Sequence, residues 1–196
     1  MHKKHTSYLH LISKIISNFF NPIVSLFIFF IVMGAKYYDF NKAMSLYVPM
    51  IVMVVLPIII WLIWNVKTGR YTNMDVSNRE QRKSLYIFIA ICIIIYEIYY
   101  YLQHHSIDWV MLFILILLFA LQFSNLYIKS SMHTAFNIFV AALFYEIDFR
   151  LGLLWLAIAI TVGITRVILK RHTVKEVFFG AGIAFLVSFI YLYCHI

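Results

Sequence analysis

Charge is what this sequence has least of. Only 12% of its 196 residues are Asp, Glu, Lys or Arg, about half the share of an ordinary soluble domain. Hydrophobic residues make up 64%, and the mean hydropathy is +0.89. A water-soluble fold of this length has nowhere to put that much apolar surface, so a soluble domain is excluded. Six glycines and three prolines leave little material for linkers or disordered tails. Residues 1–196 are therefore expected to form a single membrane domain. Cysteine is scarce too: Cys92 and Cys194 sit far apart in apolar runs, without metal-type spacing or a paired framework. Two buried free thiols are expected. The start, Met1-His2-Lys3-Lys4-His5 followed by apolar Leu9 to Ile16, superficially resembles a signal peptide. No small-residue cleavage site follows, and apolar character resumes beyond Pro22, so an uncleaved first helix is expected.

What the chain has instead is long apolar runs. A bilayer core about 30 Å thick is crossed by roughly 20 apolar residues at about 1.5 Å rise each. Seven such runs lie between charges, approximately at residues 15–35, 44–66, 84–103, 109–128, 133–149, 151–169 and 176–195. Glu146 and Asp148 cut the fifth short, and only a residue or two joins it to the sixth. The expectation is an all-α polytopic transmembrane helical bundle of six to seven spans.

Positive charge is distributed unevenly among the connections. With seven spans, all but three of the 16 Lys and Arg fall on one membrane face. They are Lys3, Lys4 and Lys14 before the first run, Lys67, Arg70, Arg79, Arg82 and Lys83 after the second, Lys129 after the fourth, and Arg166, Lys170, Arg171 and Lys175 after the sixth. The opposite face sets Lys36, Lys42 and Arg150 against Asp39, Asp108, Glu146 and Asp148. The positive-inside rule makes the basic face cytoplasmic, and the cell (inner) membrane is the expected location. Membrane lipids are the expected surroundings, and no nucleic-acid partner is expected. Inside the third run Glu97 stands alone; an unpaired carboxylate in lipid is costly, so it is expected to be hydrogen-bonded to a tyrosine of another helix or protonated.

Three polar clusters fall on the basic face. The first runs Asp75-Val76-Ser77-Asn78-Arg79-Glu80-Gln81-Arg82-Lys83, the second Lys129-Ser130-Ser131-Met132-His133-Thr134, and the third from Thr165-Arg166 through His172-Thr173 to Glu176. Two histidines, several guanidiniums and a carboxylate suit phosphoryl transfer. Guanidiniums match phosphate oxygens with forked donors, while one imidazole can attack phosphorus and the other can protonate the leaving oxygen.

The second and third clusters resemble blocks of the type 2 phosphatidic acid phosphatase superfamily, membrane relatives of the vanadium haloperoxidases. That family's second block is Pro-Ser-Gly-His; here Ser130-Ser131-Met132-His133 stands in its place. Its third is Ser-Arg, five residues, His, three residues, Asp; here Thr165-Arg166, five residues, His172, three residues, Glu176 keeps every spacing. The first block, Lys, six residues, Arg-Pro, fits worst: Arg82 can be its arginine, but Asp75 holds the lysine position and Lys83 the proline's. The resemblance spans roughly residues 75–185. It implies His172 as the nucleophile, Glu176 orienting it and His133 as general acid. It further implies that Arg82, Ser131 and Arg166 hold phosphate oxygens, with the Met132 N–H assisting; Arg79, three residues before Arg82, is expected to take over the missing lysine's task. No metal or cofactor enters that scheme, and the implied substrate is a lipid phosphate.

The spacing also constrains the backbone. Six residues of continuous helix would turn Arg166 and His172 about 240° apart at roughly 100° per residue, so the chain is expected to break between them. Thr173-Val174-Lys175-Glu176 reads as a capping box that restarts the helix. Glu176 thus has two readings, orienting His172 or capping its own helix, and the two are compatible. Hydrolysis, transfer to an alcohol and a non-catalytic binding role all fit these residues. So do phosphatidylglycerophosphate, phosphatidic acid and isoprenyl phosphates or diphosphates as ligands.

Overall fold

Helices in this chain begin where a short polar side chain accepts an amide that the first turn leaves without a partner. Asp39 accepts from Lys42 N at 2.8 Å, Asn78 from Glu80 N at 2.9 Å, Asp108 from Met111 N at 3.2 Å and Asp148 from Arg150 N at 2.7 Å. The computed structural model describes residues 2–76 and 78–195, with side chains for 8–76 and 78–194. Ser77 of the first cluster and the side chains of Lys3 and Lys4 lie outside the described residues. The elements are α1 (His2–Phe19), α2 (Pro22–Tyr37), α3 (Phe40–Met50), a π-helical segment (Ile51–Val55), α4 (Leu56–Lys67), α5 (Arg79–His104), α6 (Trp109–Ser124), α7 (Met132–Ile147), α8 (Phe149–Ile168) and α9 (Val174–His195).

Residues Phe40–Lys67 form one continuous helical stretch, and this stretch, α5, α8 and α9 are each long and apolar enough to cross a membrane. The pair α1 and α2, bent by 53°, adds a fifth as a broken span or a re-entrant loop. The first expected run, 15–35, is thus divided. Pro22 supplies the first residue of α2, where a missing N–H costs nothing, and Asn21 Oδ1 accepts from Val24 N at 3.1 Å. In the second run the π segment precedes Pro57, whose ring and missing N–H disturb the ladder at Met53. Helices α6 and α7 are apolar but 16 residues each, short of the roughly 20 that a full crossing takes. Ile60, Ile98, Leu154, Leu186 and Phe189 are exposed along the helices, as lipid-facing side chains are. The chain is a helical membrane protein.

The chain divides into two compact units, residues 1–33 with 128–196, and residues 34–127. In the first, α7 is the central helix, with every residue from Thr134 to Phe144 buried, as a helix apolar all round must be. It packs along α8 and α9, and α1 lies against α8. A single extended residue, Asp148, ends α7 and starts α8. That hairpin requires Gly152, where a Cβ would lie 2.7 Å from Tyr145 Cα. Phe144 meets Phe29 edge to face and Trp155 at a tilt, with ring centroids 5.5 and 4.7 Å away.

In the second unit α5 packs against α4 and α6. Trp61 lies parallel to Phe88 at 4.2 Å and donates to Tyr71 Oη at 3.1 Å. The carboxylate of Glu97 accepts from the backbone N–H of Asp108 at 3.3 Å, while Tyr96 gives its hydroxyl to Asp108 at 3.0 Å. Glu97 thus accepts from a backbone N–H where a tyrosine of another helix is expected, and Tyr96, on the same helix α5, gives its hydroxyl to Asp108 at the start of α6. Both cysteines are free, Cys92 buried and Cys194 exposed. An apolar run on a helix facing lipid does not bury every side chain in it, which is why the second thiol departs from expectation.

Candidate active site

The third cluster is organised by the way α8 stops. Lys170 N donates to Val167 O at 2.9 Å and Arg171 N to Arg166 O at 3.0 Å. With Lys170 at φ +55°, these two bonds make a Schellman termination in which lysine occupies the position glycine usually takes. His172 N also points to the Arg166 carbonyl, at 3.3 Å. The helical path therefore breaks between Arg166 and His172, as their spacing demands, and the chain restarts at Val174.

The restart is a reciprocal capping box. Glu176 N donates to Thr173 Oγ1 at 3.3 Å, and Thr173 N donates to Glu176 Oε2 at 3.0 Å. The same Oε2 lies 3.0 Å from His172 Nδ1, and Nδ1 is also 3.1 Å from the Lys129 carbonyl. Both partners of Nδ1 are pure acceptors in the ionised state of Glu176, so Nδ1 carries a proton, and in the neutral ring Nε2 then carries the lone pair. One carboxylate oxygen thus both caps α9 and fixes the tautomer of His172, which is only 5% exposed. Lys129 reinforces the arrangement, with Nζ donating to Arg171 O at 2.9 Å and lying 4.0 Å from Glu176 Oε2.

The second cluster is docked directly on the third. Ser131 N donates to Glu176 O at 3.0 Å, and a Cβ at Gly180 would lie 2.8 Å from Ser131 O. The starts of α7 and α9 therefore lie side by side, Met132 and His133 opening one and Glu176 the first turn of the other. Ser131 caps α7, its Oγ accepting from Thr134 N at 3.4 Å and sharing a bond with Thr134 Oγ1 at 3.0 Å. This fully buried serine carries a structural task beside any anion-holding one. First-turn amides and the positive end of α7 next to His133 form a natural anion-binding environment. Arg166 is buried, and its Nη1 donates to Ser17 Oγ at 2.9 Å.

In the other unit, the arginines of the first cluster part company. Arg79 directs Nε to Asn125 O at 2.6 Å and Nη2 to Leu126 O, tying the start of α5 to the carbonyl end of α6. Asn125 Nδ2 answers by donating to Arg79 O at 3.2 Å. Arg82 is buried and donates from Nε to the carbonyl of Val76 at 3.0 Å. Val76 has φ +44°, a costly conformation for a β-branched residue.

Three residues outside the expected set contribute to the first unit's site: Lys129, Ser17 and Asn137. Asn137, completely buried, accepts from Ser25 Oγ at 2.9 Å and Trp155 Nε1 at 3.2 Å. It donates to Phe20 O and to His133 O, both at 2.8 Å. The signal for it was an amide within an apolar run, one turn after His133. Among the described residues no group of three or more His, Cys, Asp or Glu is placed to hold a metal ion. No protein-family model, no curated protein and no solved structure matches the chain.

Proposed function

We propose that the chain is a membrane lipid phosphatase with a core like that of the type 2 phosphatidic acid phosphatases. In this reading it hydrolyses a lipid phosphomonoester or diphosphate through a phosphohistidine. The observation that carries the reading is the double hold on His172 Nδ1 by Glu176 and the Lys129 carbonyl. A proton fixed at Nδ1 gives Nε2 the lone pair that a nucleophile needs, and the carboxylate stabilises the positive ring as the bond forms.

Nε2 of His172 attacks phosphorus, the bond from phosphorus to the lipid oxygen breaks, and protonated His133 gives its proton to the departing alkoxide. Neutral His133 then takes a proton from water, whose oxygen attacks phosphorus. The P–N bond breaks, phosphate leaves and both imidazoles return to their starting states. Arg166 and the first-turn amides of α7 neutralise the phosphate oxygens. The chemistry fits phosphatidic acid, phosphatidylglycerophosphate and isoprenyl phosphates, since each offers a phosphate at the bilayer surface and an apolar tail. Counted over seven spans, the excess of Lys and Arg on one set of connections supports a cell-membrane protein with this site on the cytoplasmic side.

The test is phosphate release from a panel of these lipids by the detergent-solubilised chain with a chelator present. Release that disappears in His172→Ala is the expected result, and full activity surviving that substitution would overturn the reading.

A further inference from the structure

Helices α8 and α9 both lie along α7, and in the half of the unit remote from His172 they part. An apolar groove of about 290 Å³ runs between them there. Its floor includes Ala141 and Ala142 of α7, and its walls Leu153 and Leu156 of α8 and Phe189 and Leu192 of α9. The two alanines are buried, whereas Leu153 and Phe189 are exposed at the mouth. At roughly 30 Å³ per group the groove has room for about ten methylenes. An acyl chain is thin enough for such a slot, and a helix of a second copy, about 10 Å across with its side chains, is not. Leu153 and Leu156 follow closely on Phe149, the first residue of the membrane-crossing α8, and Leu192 precedes His195, the last of α9. Arg166 and His172 stand at the other ends of these helices. The groove therefore lies in the half of the bilayer adjoining the α7–α8 hairpin, in the leaflet opposite the candidate site.

Charges of both signs stand at that end of the groove. Arg150, one turn before Leu153 on α8, is exposed, and among the described residues nothing pairs with its guanidinium. Glu146, on the last turn of α7, accepts through Oε2 from the hydroxyl of Tyr191 at 2.5 Å, beside Leu192 on α9. Asp148 uses Oδ1 to accept from the backbone N–H groups of Arg150 and Leu151, at 2.7 and 3.4 Å. Both carboxylates are exposed, and among the described residues the second oxygen of each accepts no hydrogen bond. The rim thus offers a guanidinium on the α8 side and carboxylates on the hairpin and the α9 side. A wholly anionic headgroup meets repulsion from the carboxylates and a wholly cationic one from Arg150, whereas a headgroup bearing both charges is complementary to the rim.

We propose that this groove is a binding site for a zwitterionic phospholipid of the phosphatidylethanolamine type. One acyl chain fills the slot over Ala141 and Ala142, the phosphate meets Arg150 and the ammonium meets Glu146 and Asp148. A guanidinium matches phosphate oxygens with forked donors, and the free carboxylate oxygens accept from the ammonium. Surrounding lipid tails are as apolar as the slot, so the charged rim rather than the slot selects the headgroup, while the slot holds the lipid in place. The site is separate from the chemistry proposed for His172 and does not depend on it.

The experiment titrates the full chain, stripped of lipid in detergent, with phosphatidylethanolamine, phosphatidylglycerol or water-soluble glycerophosphoethanolamine and reads thermal protection. Native mass spectrometry counts lipids retained per chain and chains per particle. Wild type is expected to be protected by phosphatidylethanolamine at about a tenfold lower mole fraction than by phosphatidylglycerol, and not at all by glycerophosphoethanolamine, which lacks the chains. Loss of one hydrogen bond to a charged group predicts an approximately tenfold weaker response in Arg150→Gln. The double variant Glu146→Gln/Asp148→Asn keeps an acceptor for Tyr191 and a cap for α8, since asparagine caps as well as aspartate, and loses the preference for ethanolamine over glycerol. Leu153→Trp at the mouth and Ala142→Phe at the floor each fill the slot and remove the protection. Leu154→Trp, exposed on α8 outside the lining, leaves it unchanged. Equal protection of wild type by the two phospholipids, or full protection in both Leu153→Trp and Ala142→Phe, would overturn the proposal. So would paired chains that separate in Leu153→Trp, which would put a second copy in the groove. Each of these outcomes leaves the phosphatase reading intact, because its residues lie at the other end of α8 and α9.

Discussion

Glu176 Oε2 sits 3.0 Å from His172 Nδ1 and, at the same 3.0 Å, accepts the backbone N–H of Thr173. One atom therefore does the work of a helix cap and of a ring-orienting carboxylate, and the two can be separated by substitution. Thr173→Ala removes only the half of the capping box that meets Glu176 N, at a cost of about 1 kcal/mol in stability. Glu176→Ala loses the cap and the carboxylate beside His172, so a comparable loss of stability is expected together with a fall in phosphate release on the order of 10²-fold. Melting curves and initial rates on the two variants check this. Equal activities in Thr173→Ala and Glu176→Ala would show that the carboxylate does nothing for the imidazole.

Asn137 makes a different kind of prediction. Replacing it by leucine leaves Trp155 Nε1, Ser25 Oγ and the Phe20 carbonyl without the partner that each has now. Stranded polar groups in an apolar interior are expensive, although membrane hydrogen bonds average below 1 kcal/mol each. A net loss of about 2 kcal/mol is expected for Asn137→Leu, read from unfolding in a denaturing detergent. Asn137→Gln, which keeps the amide but moves it by one methylene, is expected to lose less. A leucine variant as stable as wild type would show that Asn137 does not hold the bend between α1 and α2.

Apolar runs bounded by charge located the helices because lipid and water sort residues so strongly; the run placed at 176–195 corresponds to α9 and that at 109–128 to α6. The restart at Thr173 was legible as well, since a capping box is a local pattern and needs no knowledge of the fold. Contacts between distant segments left no such trace. The 15–35 run shows no interruption in hydropathy at Phe20, although Asn21 and Pro22 mark the bend once it is known. The guanidinium of Arg79 resembled a phosphate ligand by position, yet its partners are carbonyls 46 and 47 residues away. Likewise α5 begins at Arg79, five residues before its apolar run, because a helix continues into the polar layer when Asn78 can cap it.

Lys170 occupies the left-handed position of the α8 termination with φ +55°, and it is exposed. Glycine has no Cβ to oppose that conformation, so Lys170→Gly is expected to stabilise the chain by about 0.5–1 kcal/mol despite its higher unfolded-state entropy. A higher melting temperature with unchanged phosphate release is the expected result. A destabilised glycine variant would mean that the lysine side chain contributes more than its backbone costs.

The sharpest packing test lies in α9, where two glycines two residues apart meet opposite surroundings. A Cβ at Gly180 would stand 2.8 Å from Ser131 O and 2.9 Å from Ser131 N, whereas one at Gly182 meets nothing within 4 Å. Backbone cannot swing aside as a side chain can, so Gly180→Ala must push α9 off the start of α7. A loss of about 1–3 kcal/mol follows from overpacking of this kind, and the bond from Ser131 N to Glu176 O stretches with it. Because Glu176 orients His172, activity is expected to fall as well. Gly182→Ala changes only helix propensity and is expected to gain up to about 1 kcal/mol. Measuring both variants by unfolding and by phosphate release distinguishes close packing from a general dislike of substitution in α9. If alanine is tolerated equally at 180 and 182, the close contact between the starts of α7 and α9 is not what holds the site.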